Sequence, residues 1–272
     1  MAIEPPLRQS PALLPPLDGD PHLPLYRRLY LAFAQQIARG AWRPGDSLPA
    51  ETRIAELYRI APGTVRKAID ELADRRLVDR RHGQGTFIAR PNFDNAMLRF
   101  FRFRDDRGAP VLPESRILHR AVIRLPAALA QRWSIPEAEM IHLARERSWE
   151  GQVRLIEDIY LPAVPFAALL EADESAIGPL LYPAYERLCG QVVYGIEEDI
   201  VIRDAAGPDR ARLGLGPGTL AVEIARIARN AVGEPLEWRL SRAEARRFRY
   251  HLALGMEGSD GARPHVPASM KA

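Results

Sequence analysis

Apolar residues between positions 64 and 72 recur at the spacing of an α-helix. Val65, Ala68, Ile69 and Leu72 fall at i, i+3, i+4 and i+7, so a helix here would bury one stripe of side chains and leave the opposite face in solvent. That open face would carry Thr64, Arg66, Lys67 and Asp70. The pattern therefore predicts an amphipathic helix with cations on its exposed face.

A second short helix is predicted just before this one, and a basic hairpin just after it. The earlier helix is expected to direct Leu48, Ile54 and Leu57 inward. Pro62 favours a new helix start, because proline is tolerated at the first helical position and disfavoured inside a helix. In the hairpin, the basic residues Arg80, Arg81 and His82 are followed by two glycines, Gly83 and Gly85. Because glycine lacks a Cβ, the chain can turn back there into a second strand.

Helix, turn, helix and basic glycine hairpin, in this order, are the parts of a winged helix-turn-helix. Each part alone has an ordinary structural explanation, since apolar helical spacing is typical of any core and exposed arginine of any surface. Their combination favours DNA binding, with Arg66 and Lys67 presented by the second helix and Arg81 and His82 by the wing.

Beyond Met97 the pattern changes to strands separated by short helices, after a proline-containing connection over 90–95. The predicted strands cover 99–104, 116–124, 141–149, 153–161, 192–202, 221–230 and 236–241, and the predicted helices cover 125–133, 164–171, 180–188 and 208–213. Two of the predicted hairpins look alike. Each has an arginine-bearing strand, a turn at Gly151 or Gly233, and a second strand with Glu157 or Glu237.

Arg145 and Arg147 are separated by one residue on a predicted strand, so their side chains should project from the same face of a sheet. Glu157 lies in the next strand. Two neighbouring guanidinium groups form a site for a phosphate, sulfate or carboxylate. An exposed ladder of charges on a sheet face explains the same spacing equally well.

The charge is concentrated in the first third of the chain. Residues 21–90 hold 13 Arg or Lys against 7 Asp or Glu, a balance of +6, so the remaining residues must sum to −3 to give the formal net charge of +3. A basic excess on the predicted DNA-binding segment is the electrostatic pattern expected for contact with phosphates.

Several chemistries are not expected. Lysine occurs only at Lys67 and Lys271, so the second domain offers no buried lysine for pyridoxal phosphate. The single cysteine, Cys189, cannot form an internal disulfide, and next to Leu188 it is expected to be a small core residue. We predict no catalytic residues, no metal ligands and no cofactor. No signal-like or membrane-spanning segment is recognised, which favours a cytoplasmic protein without a membrane partner.

Several short motifs follow one another between residues 22 and 91. They are Pro24-Leu25-Tyr26, Ile37 with Gly40, Pro44-Gly45-Asp46-Ser47-Leu48-Pro49-Ala50-Glu51, Thr64-Val65-Arg66-Lys67-Ala68 and Gly83-Gln84-Gly85-Thr86-Phe87. With these motifs the segment resembles the DNA-binding domain of the GntR family of bacterial transcription regulators. Thr52 and Ala61 replace an arginine and a serine that are usual in the family, and Arg53 follows Thr52. The resemblance implies DNA contacts by Arg53, Thr64, Arg66, Lys67, Arg81, His82, Gly83 and Gly85.

Residues 97–256 contain an Arg-x-Arg pair, a glycine turn, a glutamate and a Tyr-x-Pro motif: Arg145, Arg147, Gly151, Glu157, Tyr160 and Pro162. This series resembles the effector-binding (UTRA) domain of the HutC subgroup of GntR regulators, whose fold is shared with chorismate lyase. The resemblance implies an effector pocket formed by Arg145, Arg147, Glu157 and Tyr160. A serine that helps hold the anion in some relatives is Leu180 here, so the effector need not be a sugar phosphate.

Together these features predict an α+β protein with a winged helix-turn-helix over 21–91, a linker over 92–98 and an antiparallel-sheet effector-binding domain with short helices over 99–256. A disordered lead-in is predicted over 1–20 and a disordered tail over 257–272. The expected function is a ligand-responsive transcription regulator, a homodimer that a small anionic metabolite releases from an inverted-repeat operator in double-stranded DNA. Two alternatives remain open: an enzyme of chorismate lyase-like fold acting on a small acid, and a constitutive DNA-binding dimer.

Overall fold

The computed structural model describes residues 14–18, 20–89, 104, 108, 112–135 and 139–250. The predicted linker over 92–98, most of the predicted strand over 99–104 and the predicted tail over 257–272 lie outside the described residues. Two hydrophobic cores separate the described chain into an N-terminal and a C-terminal part.

Helices and one hairpin build the N-terminal domain. Its elements are α1 (Leu25–Ala38), α2 (Glu51–Tyr58), α3 (Pro62–Asp74), β1 (Val78–Arg81) and β2 (Gly85–Ile88). The stripe predicted for α3 is confirmed, since Val65, Ala68, Ile69 and Leu72 are fully buried against α1 and α2. The antiparallel pairing of β1 with β2 confirms the predicted wing.

The prediction for the inward face of the earlier helix is wrong in part. Ile54 is fully buried, but Leu57 is 49% exposed and Leu48 precedes α2. The buried stripe of α2 runs through Ile54, Ala55 and the partly buried Tyr58. At 100° per residue, Leu57 falls outside that stripe. Leu48 is buried instead beside the wing, where its backbone N–H donates to the carbonyl of Thr86 at 2.8 Å.

The end of the predicted lead-in makes specific contacts with the N-terminal domain. Leu14 and Leu17 pack against the first core. The hydroxyl of Tyr58 donates to the carbonyl of Pro15, and the guanidinium of Arg28 donates to the carbonyl of Leu17. Residues 14–18 therefore have a defined place in the fold, which differs from the expectation of a disordered lead-in over these positions.

The C-terminal domain is built on a six-stranded antiparallel sheet. Its strands are β3 (Glu114–Arg124), β4 (Glu139–Trp149), β5 (Gln152–Pro162), β6 (Gly195–Asp204), β7 (Leu220–Arg229) and β8 (Pro235–Glu244). Short helices connect them: α4 (Ala127–Trp133), α5 (Ala168–Glu171), α6 (Glu174–Ile177), α7 (Leu181–Cys189) and α8 (Gly207–Leu213). The strand order is β3-β4-β5-β8-β7-β6. This arrangement confirms the predicted α+β fold class.

Each face of the sheet is covered by a different group of helices. Helices α5, α6 and α7 pack on one side through Leu169, Ile177, Tyr185 and the strand residues Leu143 and Ile159. We call this side the α7 face. Helices α4 and α8 lie against the other side, the α4 face, where Tyr160 and Trp238 join the small core under α4.

The two domains touch through the end of α7 and the turn between β7 and β8. Tyr194, Ala231 and Val232 pack against the core of the N-terminal domain. Gly40, just after α1, has φ +69° and lies so close to Gly190 that a Cβ on Gly40 would be 2.5 Å from the Gly190 carbonyl oxygen. At this point the backbones of the two domains are in direct contact.

Candidate functional site

Helix α3 presents its cations on the side opposite its buried stripe. The Arg66 side chain is 69% exposed, and Lys67 is also exposed. The ammonium group of Lys67 lies 3.9 Å from the centre of the Tyr26 ring, a cation–π contact that holds it beside α1. Thr64, in the first turn of the same helix, is half-buried. The structure therefore places these predicted DNA-contacting residues on one helix.

A carboxylate shared between elements orders this surface. Glu51, the first residue of α2, accepts from Arg66 of α3 and from Arg80 of β1, each at 3.3 Å. Arg80 also lies 2.5 Å from a carboxylate oxygen of Asp70 in α3. Exposed pairs of this kind add little stability, about 0–1 kcal/mol each. The effect of these ion pairs is to hold the wing strand beside α3. Arg80 and Glu51 were not among the DNA-contacting residues predicted from the sequence.

The wing has the backbone geometry that its sequence predicts. Gly83 and Gly85 have φ values of +71° and +116°, in the region that side chains with a Cβ rarely adopt. His82 is exposed at the turn, and the guanidinium of Arg81 lies 4.7 Å from the centre of the Phe87 ring. Arg53, on α2, is exposed and bonded to Glu56 at 3.2 Å. The structure brings Arg80 into contact with Glu51 and Asp70, while Arg53 contacts its own helix.

The predicted effector residues Arg145 and Glu157 meet on the α7 face of the sheet. They are directly paired on β4 and β5 and are 1% and 2% exposed. Arg145 Nε donates to Glu157 Oε2, and Arg147 Nη1 lies 3.9 Å from the same oxygen. The two arginines therefore share one face of the sheet, as the strand spacing predicts, and Glu157 of the next strand lies on the same face. All three side chains are buried, whereas the alternative explanation, a ladder of charges on a sheet face, required them to be exposed.

A second set of buried charges continues the cluster onto β7 and β8. Arg239 Nη1 donates to Glu157 Oε1 at 3.0 Å, and Arg239 Nη2 donates to Glu237 Oε2 at 2.6 Å. The hydroxyl of Tyr185 donates to Glu237 at 2.7 Å, and Arg226 Nε donates to Glu198 at 2.7 Å. We define the buried arginine cluster as these residues together: Arg145, Arg147, Glu157, Tyr182, Tyr185, Glu198, Arg226, Glu237, Arg239 and Ser241.

None of the residues on β7 and β8 was assigned to the site from sequence. The signal that could have found them is the resemblance between the two hairpins, since the second hairpin, like the first, carries arginine on one strand and a glutamate, Glu237, on the other. Because β5 and β8 are neighbours in the sheet, the two hairpins bring their charges together.

The cluster holds four arginines and three glutamates, a formal charge of +1. Burial alone would raise the pKa of Glu157, but Arg145, Arg239 and Arg147 together hold it well below its ordinary value. Burial lowers the pKa of Arg147 well below its ordinary value, and repulsion from Arg145 lowers it further. Burial raises the pKa of Tyr182 to about 12, so its hydroxyl stays protonated as a donor. An additional negative charge at this place would stabilise the cationic form of Arg147.

Tyr160 does not join the other predicted effector residues. It lies on the α4 face, stacked on His142 with ring centres 4.9 Å apart and 5.7 Å from the ring of Trp133. The physical reason is strand geometry, because positions 157 and 160 are an odd number of residues apart and must point to opposite sides. The structure therefore separates Tyr160 from the buried arginine cluster.

Two further observations concern the part of the chain that the structure describes. No helix within those ranges combines the length and the apolar character needed to cross a membrane. No group of three or more His, Cys, Asp or Glu side chains there is arranged to hold a metal ion.

Comparison with known proteins identifies both domains. Residues 25–88 match the gntR family of bacterial regulatory proteins, and residues 110–249 match the UTRA domain. The chain is 30% identical over 152 residues to the mannosyl-D-glycerate transport/metabolism system repressor MngR of Escherichia coli, an alignment that covers 54% of this chain and 62% of MngR. It is 26% identical over 209 residues to the HTH-type transcriptional repressor NagR of Bacillus subtilis, covering 75% of this chain and 84% of NagR.

A solved structure supports the fold of the C-terminal domain. The ligand-binding domain of a GntR-family transcriptional regulator from Bordetella bronchiseptica superposes with a TM-score of 0.51 at 24% identity, covering 57% of this chain and 98% of that domain. The family predicted from the sequence motifs is confirmed: the chain belongs to the gntR family of bacterial regulatory proteins, in the subgroup that carries a C-terminal UTRA domain.

Proposed function

We propose that the protein is a ligand-responsive transcriptional repressor that binds an inverted-repeat operator as a homodimer and is released by a small anion. The observation that carries this proposal is the exposed basic surface of α3 and the wing, within a domain of the gntR family. The names of MngR and NagR describe both as repressors. We assign no catalytic role to the C-terminal domain.

In the DNA-bound state, α3 would enter the major groove with Arg66 and Lys67 toward the base edges. Arg81 and His82 of the wing would reach the phosphate backbone, where the glycines at 83 and 85 allow close approach. Glu51 would keep Arg66 in place beside Arg80 before DNA arrives. A pre-ordered arginine loses less conformational entropy when it binds.

The buried arginine cluster is the proposed effector site, and its chemistry favours an anion. With Arg147 charged, the cluster has a formal charge of +1, and a carboxylate or phosphate there would offset the burial and the repulsion from Arg145 that lower the pKa of Arg147. Arg145, Arg147 and Glu157 are the proposed contacts. Tyr160, on the opposite face, would act only indirectly, through its packing under α4.

Helix α7 offers a direct route from the effector site to the DNA-binding domain. Tyr182 and Tyr185 of α7 belong to the cluster and bond to Glu237, and α7 is followed directly by Gly190, whose carbonyl lies against Gly40. A ligand that shifts these two tyrosines would therefore move the end of α7 toward the N-terminal domain or away from it. By linkage, the anion and the operator would weaken each other by the same factor, with a typical coupling of about 1–3 kcal/mol.

The decisive experiment compares Arg66, on the exposed face of α3, with Arg75, which directly follows that helix. Arg66→Ala should weaken operator binding by about 1–3 kcal/mol if Arg66 pairs with a base edge. Arg75→Ala removes the same charge at the C-terminal end of α3, where Arg75 is 53% exposed and paired with Glu71. Operator sequences selected from a random library would be used in fluorescence anisotropy at several salt concentrations.

We expect Arg75→Ala to bind nearly as tightly as the unchanged protein and Arg66→Ala to lose affinity. Equal operator affinity for both variants would refute the placement of α3 in the groove. Absence of any selected sequence for the unchanged full-length protein would refute the proposed function itself.

A further inference from the structure

Two sequence features outside the proposed effector and DNA-binding sites meet at one cavity. The glycine-containing loop after α8 contributes Gly214, Leu215 and Gly216, and the segment after β8 contributes Arg247 and Arg249. The cavity has a volume of about 320 Å³ and lies at the turn end of the β4–β5 hairpin. No residue of the buried arginine cluster lines it.

Positive charge dominates the cavity wall. Its charged lining residues are Arg104, Arg154, Arg247, Arg249 and Glu244, four cations against one carboxylate and a balance of +3. The ion pairs that Arg247 and Arg154 form are long. Arg247 Nε lies 3.6 Å from Glu244, and Arg154 Nη2 lies 3.6 Å from Glu150, whose side chain is 64% exposed and lies outside the lining. Such long, partly solvated pairs neutralise their arginines weakly.

The position of Arg154 in the cavity wall is fixed by the burial of its side chain more than by its ion pair with Glu150. Its side chain is only 13% exposed, and its Nε atom makes no hydrogen bond to any of the described residues. The guanidinium group of Arg154 therefore has an unused hydrogen-bond donor, its Nε–H, beside the cavity. A concave site with one sign of charge concentrates its electrostatic field and attracts ions of opposite sign.

The cavity also has apolar walls. Trp149 and Phe248 line it together with Val153 and Leu215. Its size lies near the lower end of the range typical of small-molecule sites, roughly 300–1,000 Å³. Arginine forks bind phosphate and carboxylate groups with two parallel hydrogen bonds. A ligand that fits has at least two negative charges and an apolar or ring-shaped part.

We infer that this cavity is a second ligand site, separate from the buried arginine cluster, which binds a small organic anion bearing phosphoryl or several carboxylate groups. The arginines at 154, 247 and 249 hold the charged groups, and the Trp149 and Phe248 rings contact the remainder. Occupation of this site is independent of whether the buried cluster binds the effector of the proposed function.

The test is calorimetric titration of the full-length protein with pyrophosphate and, separately, with citrate at constant ionic strength. The main variant is Arg247→Gln with Arg249→Gln, both exposed, so that neither substitution removes a core contact. Arg246→Gln is the matched control, because Arg246 is also exposed and adjacent but does not line the cavity. We expect at least one of the two anions to bind the unchanged protein and the control alike, and about tenfold or more weaker to the double variant.

A spectroscopic readout locates the bound anion. Binding should change the fluorescence of Trp149, and Trp149→Phe should remove that change while calorimetric binding persists. Equal affinity of the double variant and the unchanged protein, or no binding of either anion at millimolar concentration, overturns the inference.

Loss of anion binding in Arg145→Gln alone, with binding unchanged in the double variant, would place the anion in the buried cluster. That outcome overturns the second site and supports the proposed effector site.

Discussion

Replacing Glu157 with glutamine should strongly destabilise the C-terminal domain. Glu157 is 2% exposed and accepts hydrogen bonds from Arg145 and Arg239, with Ser241 Oγ at 3.3 Å and Arg147 Nη1 at 3.9 Å. Glutamine keeps the shape of the side chain but removes its charge. It also brings an amide NH₂ group, a donor, toward guanidinium groups that are themselves donors.

The magnitude follows from the contacts that are lost. Two hydrogen bonds to a charged group contribute about 1.5–3 kcal/mol each, and removal of one partner from a buried ion pair typically costs about 3–5 kcal/mol. We therefore expect Glu157→Gln to lower the free energy of unfolding of this domain by about 3–5 kcal/mol. A domain is usually stable by only about 5–15 kcal/mol, so the variant should fold but unfold at much lower urea concentration.

The pH dependence provides an independent check of the mechanism. The pKa of Glu157 is depressed in the folded state, so its stabilisation is complete above the ordinary carboxyl pKa of 4.5 and is lost as the pH falls toward the folded value. In Glu157→Gln this contribution is absent at every pH. The difference in stability between the two proteins should therefore shrink as the pH is lowered below about 4.5.

Equilibrium urea unfolding, followed by circular dichroism at several pH values, measures both effects. Glu146→Gln is the control, since Glu146 lies on the same strand as Arg145 but pairs with Arg116, whose side chain is 72% exposed. The Glu146 side chain is 11% exposed, but it loses only one ion pair with a solvated partner, so the control should cost clearly less than Glu157→Gln. A loss below about 1 kcal/mol in Glu157→Gln, or a difference that does not change with pH, would refute the view that Glu157 neutralises the buried arginines.

The remaining predictions concern the contact between the domains and the first core. Gly40→Ala should reduce the effect of a bound anion on operator affinity, because the Cβ would meet the Gly190 carbonyl; the control Gly151→Ala has a similar φ of +71° but nothing within 4 Å of its Cβ. Titrations of operator-bound protein measure this, and an unchanged anion effect in Gly40→Ala would contradict the route through α7. Ile54→Ala should destabilise the N-terminal domain by about 2–4 kcal/mol and Leu57→Ala by less than about 1 kcal/mol, because Ile54 is fully buried and Leu57 is 49% exposed. Thermal unfolding distinguishes the two, and equal losses would contradict the observed stripe of α2.

The DNA-binding domain could be predicted from the sequence because its signals are local. Helical spacing at Val65, Ala68, Ile69 and Leu72 and glycines in the wing act within a few residues of each other. The position of Leu57 was predicted wrongly because spacing alone gives several possible stripes for a helix of two turns. Which stripe faces inward is decided by the packing of α2 against α3 and by Tyr58, whose ring centre lies 6.4 Å from that of Phe33 in α1.

The buried arginine cluster could be predicted only in part, because half of it depends on pairing between distant strands. Period-two geometry places Arg145 and Arg147 on one face whatever the partners are. The contribution of Arg239 depends on β5 pairing with β8, in which Glu157 is opposite Ser241. The two residues are 84 positions apart in the chain, and no local pattern specifies such a register. Tyr160, by contrast, could have been placed correctly by counting residues from Glu157.

The repeated hairpins explain how so many charges can be buried in one sheet. A single arginine pair on β4 would raise the energy of the fold, because each cation loses its hydration and repels the other. Because the two hairpins are neighbours in the sheet, Arg239 of β8 bonds both to Glu157 of β5 and to Glu237 of its own strand. The charges of one hairpin are therefore partly neutralised by those of the other. Glu237 in turn accepts from both tyrosines of α7.

An anion that attracted Arg145 or Arg147 would weaken the interaction of these arginines with Glu157. Glu157 would then bind Arg239 more strongly, and Arg239 would bind Glu237 less strongly. The electrostatic consequence of a ligand at β4 would therefore reach α7 through two shared carboxylates, without any large movement of the sheet.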